Sequence, residues 1–152
     1  MIDPLKPKYF PLYWKIAFAA AEQSVAERHK VGAVIVTPTG MISLGFNGMP
    51  PGLPNACENM EVYSPELGIY RGKTDPRVIH AEANAVDKMT CQGIPVKGSL
   101  LFVTRSPCFE CAKRLINLDL KYIYYVDIHD CTRGLELFDA MGIAHSVMPV
   151  KR

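Results

Sequence analysis

The stretch SLLFVTRSPCFECAKRLINLDLKYIYYVDIHDCTRGLELFDAMGIAHSVMPV, residues 99–150, alternates β-branched and aromatic runs with segments whose apolar residues recur at helical spacing. It reads as strand 99–104, helix 108–118, strand 121–126, helix 134–141 and strand 144–150. Strands joined through helices imply crossover connections and a parallel region of sheet. Upstream, 81–89 reads as another helix, and the apolar runs 31–36 and 41–46 flank the turn residues Pro38, Thr39 and Gly40, which makes a β-hairpin. Further back, Leu12, Ile16, Ala19, Ala20 and Val25 face one way and Gln23, Glu27 and Arg28 the other, an amphipathic helix over 12–28. The expected fold is α/β, a three-layer α/β/α sandwich around a five-stranded mixed sheet.

The chain has 152 residues, the length of one ordinary domain, and 1–152 is read as one. Hydrophobic residues make up 49% and charged residues 21%, enough for a real core and against extensive disorder. From 48 to about 78 the periodicity dissolves into GMPPGLPN, SPELG and GKTDP, an insertion without regular elements. Loops of that length are often functional, which makes this one a candidate wall or lid for a site. No apolar run is long enough for a membrane span, and MIDPLKPKYF lacks a secretory signal's apolar centre, so a cytoplasmic protein is expected, or one in the host cytoplasm if viral. A net charge of +2 with the two signs interspersed gives no footprint for long nucleic acid and favours a small-molecule substrate. Five cysteines without an export signal should stay reduced, available for metal or chemistry.

Two motifs sit where helices begin, His80-Ala81-Glu82 and Pro107-Cys108-Phe109-Glu110-Cys111. At this composition an H-x-E arises by accident in roughly one such sequence in five and a P-C-x-x-C in about one in a hundred, so the cysteines carry the specificity. Cys108 and Cys111 project from one face of a helix start, where the partial positive charge favours thiolate. With His80 they make a three-ligand zinc site whose fourth position is open, the arrangement of a catalytic ion. Glu82, two residues after the histidine, is placed to move protons. H-x-E followed by P-C-x-x-C is the signature of zinc nucleobase deaminases, in which the glutamate is acid and base and not a ligand. The chemistry inferred is attack of activated water on C4 of a cytosine-type ring and loss of ammonia.

Over nearly its whole length the chain resembles the deoxycytidylate (dCMP) deaminases of the cytidine deaminase superfamily. The resemblance rests on HAEANAV, SPCFECAKRLI, the VGAVIV strand at 31–36, GFNGMP at 45–50 and Tyr125-Val126-Asp127. It implies the cytidine deaminase-like fold and conversion of dCMP to dUMP and ammonia, the step that supplies thymidylate synthesis. It also implies that Asn47 contacts the sugar, the backbone around Ala81 the base carbonyl, and the Ser106-Pro107 turn the exocyclic amine. For the 5′-phosphate it suggests Arg28, with Arg105 second and Lys73, Arg77, His129 and Arg133 as further cationic candidates. It implies one catalytic Zn2+, a homo-oligomer, commonly a hexamer, activation by dCTP with Mg2+ and inhibition by dTTP. The additional structural zinc of some relatives uses histidines of the insertion, and 48–78 holds none; the remaining histidines are His29, His129 and His145.

Other readings of the same residues stay open at this level. His80 alone could be a buried hydrogen-bonded histidine, and C-x-x-C a redox pair. A structural zinc module would need a fourth ligand from Cys57, Cys91, Cys131 or His129. Asn47-Gly48 is turn chemistry, and Arg28 suits a solvated last helical turn. The aromatic group Tyr9, Phe10, Tyr13, Trp14 and Phe18 suits packing or an interface better than base stacking. Within the enzymes, the alternatives are a 5-substituted dCMP, dCTP, or adenosine in tRNA as substrate.

Overall fold

The two runs buried along nearly their whole length, GAVIV at 32–36 and LLFVTR at 100–105, take the middle of the sheet in this computed structural model. It describes residues 2–150, with the backbone alone at 60–63 and 69–71, so Met1, Lys151 and Arg152 of the expected domain lie outside the described residues. In chain order the elements are α1 (Phe10–Glu22), β1 (Gly32–Val36), β2 (Ile42–Phe46), β3 (Glu58–Ser64), β4 (Ile69–Thr74), α2 (Ala81–Cys91), β5 (Leu100–Arg105), α3 (Phe109–Leu115), β6 (Tyr122–Asp127), α4 (Arg133–Met141) and β7 (His145–Val147). The main sheet runs β2-β1-β5-β6-β7. β1 is buried throughout and pairs antiparallel with both β2 and β5, Ala33 opposite Gly45 on one side and Val103 on the other. β6 and β7 continue in parallel from β5. The turn from β1 to β2 closes through Gly40, whose φ of 88° suits only glycine comfortably, and Thr37 Oγ1 accepts the Met41 amide at 2.9 Å.

Alternate residues along each strand face opposite layers. Val34, Val36, Leu100 and Phe102 meet Phe10, Tyr13, Trp14 and Ala17 of α1. Ala33, Ile35, Leu101, Val103, Ile123 and Tyr125 meet Ala81, Ala85 and Met89 of α2, Ala112 and Leu115 of α3 and Phe138 of α4. The three layers expected from the alternation are present. The Phe102 ring is ringed by Phe10 at 5.0 Å, Trp14 at 5.3 Å and Tyr13 at 5.4 Å, which places these N-terminal aromatics in the core.

Two expectations are corrected. The first helix ends at Glu22, well short of 28: Ser24 is buried, its Oγ donates to the Asn47 carbonyl at 2.8 Å and accepts the Ala26 amide at 3.2 Å, and the chain turns off the helix path there. The insertion at 48–78 is not structureless either. It contains the antiparallel hairpin β3–β4, whose base is tied down by the Asp75 amide donating to the Cys57 carbonyl at 2.7 Å and by a bridge between Gly48 and Ile79. Ala26, Cys57 and Val78 form a small apolar cluster beneath it. Among the described residues no helix is long and apolar enough to cross a membrane.

Candidate metal centre and substrate cavity

Both motif histidine and motif cysteine are helix N-caps. His80 (ψ 156°) precedes α2 and Cys108 (ψ 172°) precedes α3, so their side chains leave extended backbone while their carbonyls accept the Asn84 and Ala112 amides at 2.9 Å. Cys111 lies one helical turn beyond Cys108. The two helices start at the same end of the molecule because β2 and β5, the main-sheet strands that precede them, both run antiparallel to β1 between them. Close packing makes this possible. Gly45 of β2 has no room for a Cβ against the Ala81 carbonyl, and at Gly134 of α4 a Cβ would stand 2.5 Å from the Pro107 carbonyl oxygen.

His80 Nδ1 lies 3.3 Å from Cys111 Sγ and 3.5 Å from Cys108 Sγ, and all three donor atoms fall within 4.8 Å of one another. Imidazole nitrogen and thiolate sulfur on one tetrahedral zinc would be about 3.6 Å apart, from the usual bond lengths. The set fits a borderline-soft dication. Cys57, Cys91, Cys131 and His129 do not join it among the described residues.

The two thiols shift each other in opposite directions. Cys111 donating to Cys108, helped by His80, pulls Cys108 down to about 3. Cys111 is correspondingly pushed up by that bond, by burial and by nearby Glu82. The bond to Cys108 raises His80 against the opposing effect of burial. Glu82 is only 4% exposed, and burial raises its carboxyl, which suits a group that must hold a proton as well as release one.

A cavity enclosing about 570 Å3, open mouth included, lies over these groups. His80, Ala81, Glu82 and Cys108 line it together with His29, Glu58, Thr74, Arg105 and His129. Asn47 is in its wall, with Oδ1 accepting the Val31 amide at 2.9 Å and Nδ2 donating to the His29 carbonyl at 2.8 Å. The turn alternative for Asn47 finds no support: Gly48 is not among the positive-φ glycines and pairs with Ile79 in extended fashion. Ser106 lines the cavity and its Oγ accepts the His129 amide at 2.8 Å; Pro107 is fully buried behind it.

The cationic candidates separate. Arg105 lines the cavity with a side chain 14% exposed, whereas Arg28 is exposed and absent from the lining. Arg77 is held by Asp75, Arg133 stacks 4.2 Å over the Phe109 ring, and Lys73 is exposed on β4. Glu58 and Thr74 were not legible as cavity residues. Glu58 Oε1 accepts the Glu27 and Arg28 amides at 3.0 and 3.2 Å, tying the hairpin to the connection between α1 and β1, and no local motif announces it.

Residues 11–127 match the family model described as the cytidine and deoxycytidylate deaminase zinc-binding region. A deoxycytidylate deaminase of Pongo abelii is 33% identical over 146 residues, covering 90% of this chain and 76% of that protein. One from Mycobacterium phage D29 is 33% identical over 124 residues, covering 79% and 95% respectively. Among solved structures, the dCMP deaminase of cyanophage S-TIM5 in complex with dCMP and dUMP superposes with a TM-score of 0.81 at 35% identity, covering 95% of this chain and 99% of that one. With the donor set and the buried glutamate lying inside the matched region, the chain belongs to the cytidine and deoxycytidylate deaminase family.

Proposed function

We propose that this protein is a zinc-dependent hydrolase that converts dCMP to dUMP and ammonia. The observation that carries the reading is a His80, Cys108, Cys111 donor set with His80, Cys108 and the buried Glu82 lining one cavity, in a chain similar to enzymes that bear this activity's name. A zinc ion held by His80 Nδ1 and the two sulfurs supplies the Lewis acidity that makes water nucleophilic at neutral pH. Glu82 would take one proton from the water and pass it to the ring nitrogen N3 as the C4–O bond forms, then move the remaining proton of the new C4 hydroxyl to the amine as the C4–N bond breaks, leaving the C4 carbonyl and ammonia. Its burial keeps bulk water from competing for these protons.

The cavity wall orients the nucleotide. The Ala81 amide, in the first turn of α2 where backbone N–H groups lack helical partners, faces the base carbonyl. The Ser106-Pro107 turn meets the amine. Asn47 retains one N–H and one lone pair for the sugar after bracing 29–31. For the phosphate, the lining position and low exposure of Arg105 favour it over Arg28.

The proposal includes a homo-oligomer, for which partly exposed Tyr122, Tyr124, Val126, Met148 and Val150 beside α1 offer an apolar face. It places the enzyme in the cytoplasm, consistent with five free cysteines. Regulation by dCTP with Mg2+ and by dTTP rests on the family resemblance.

Ammonia release by the zinc-loaded protein, compared across dCMP, 5-methyl-dCMP, dCTP, deoxycytidine and CMP, tests the function. Preferred turnover of dCMP is expected, and Glu82→Gln should keep zinc while kcat falls at least about 100-fold. No turnover of all five, even with dCTP and Mg2+ added, would overturn it in favour of tRNA adenosine deamination or a structural zinc module.

A further inference from the structure

Arg105 and its partner differ sharply in environment. Arg105 Nη2 lies 3.2 Å from Asp130 Oδ1, yet the arginine side chain is 14% exposed and the aspartate side chain 80%. A guanidinium largely withdrawn from water needs an anion beside it. A carboxylate that stands mostly in solvent loses little when the pair opens. Of the two carboxylates that line the cavity, Glu58 already accepts two backbone amides and Glu82 is buried beside the metal donors, whereas Asp130 stands outside the lining. Asp130 is therefore the replaceable member of the pair.

Its loop is held against the site independently of that carboxylate. The Ser106 amide donates to the Asp127 carbonyl and the His129 amide to Ser106 Oγ, both at 2.8 Å, and the Cys131 amide donates to His129 Nδ1 at 3.0 Å. Releasing the Asp130 side chain need not move the backbone of the amine-binding turn. A phosphate monoester with a charge of about −2 outcompetes a single carboxylate and matches the planar fork of arginine.

We propose that Asp130 is a stand-in anion that holds Arg105 until the substrate's phosphate displaces it, so that Asp130 sets how strongly the site favours phosphorylated over unphosphorylated nucleosides. This rests on the assignment of Arg105 to the phosphate.

A double-mutant cycle tests it, read as the ratio of kcat/KM for dCMP to that for deoxycytidine, with inhibition by inorganic phosphate alongside. Asp130→Asn should raise the ratio about 2–5-fold, the range of a partly exposed ion pair, and tighten phosphate inhibition by a similar factor. In an Arg105→Gln background Asp130→Asn should give no such gain. An equal gain with and without Arg105 would mean a general field effect and overturn the proposal. So would an unchanged or lower ratio in Asp130→Asn alone. If Arg105→Gln keeps the wild-type ratio, the phosphate assignment fails and the proposal with it. If the wild-type enzyme does not turn over dCMP at all, the functional reading itself has failed, a result distinct from the others.

Discussion

Asp75 shows how one side chain can fasten a whole insertion. It is buried at the foot of β4, where it takes Arg77 Nε at 3.0 Å, Arg77 Nη2 and the Arg77 amide at 2.8 Å, and Asn59 Nδ2 at 3.0 Å. The Arg77 side chain first, then its amide and Asn59, hold the carboxyl well below the ordinary carboxylate range. A depressed folded value means stability that is fully present above the unfolded value of about 3.9 and is lost as pH falls through the folded one. Thermal melts of wild type and Asp75→Asn should therefore differ by a constant amount from pH 8 to pH 5 and converge progressively below about pH 4. A gap that closes between pH 5 and 7 would show that another group controls the clamp. The Arg77 half of this network is local, two residues from Asp75, but the Asn59 half is not legible from spacing, because Asn59 meets Asp75 only through the hairpin pairing. The zinc ligands are legible for the opposite reason, since i and i+3 at a helix start fix two of them locally. Arg28 is exposed and outside the cavity lining, a placement that sequence distance to a strand does not reveal.

At the scale of elements, helices meet strands through glycines, and the positions differ in what they control. At Gly32 of β1 a Cβ would be driven into the Ala17 carbonyl of α1, on the face of the sheet opposite the helices that carry the metal ligands. At Gly134 it would meet the Pro107 and Cys108 carbonyl oxygens at 2.5 and 3.0 Å, pressing directly on a ligand's backbone. Both alanine variants should lose about 1–3 kcal/mol of stability by overpacking, offset at Gly134 by up to about 1 kcal/mol of helix propensity. Only Gly134→Ala should also weaken zinc, by about 10-fold, as buttressing changes around metal sites do. Chelator competition beside thermal melts separates the two, and equal zinc affinity in both variants would remove α4 from the metal centre. The alternating second half was readable because its strands are buried by helices and carry dense apolar runs. The hairpin β3–β4 was not, because ENMEVYS and IYRGKT mix charge and glycine and belong to a separate two-stranded sheet outside the main core.

For the molecule as a whole, the question is whether the metal holds the fold or the fold holds the metal. Small zinc domains unfold without their ion because the ligands are most of their core. Here the ligands sit at one end of a sheet buried on both faces, with Phe102, Phe138, Ile35, Leu101 and Ile123 essentially inaccessible on strands and helices that do not carry them. Removing zinc leaves those layers in contact and deletes one cross-link between the starts of α2 and α3. The chelated protein should thus keep its far-UV circular dichroism at 25 °C. Its melting temperature should still fall: free zinc at a thousand times its Kd contributes about 4 kcal/mol, and for a chain of this size that corresponds to about 8–16 °C. Loss of the helical signal on chelation at 25 °C would reverse the order of dependence, making the ion a structural element, and would take away the ground for assigning it to catalysis.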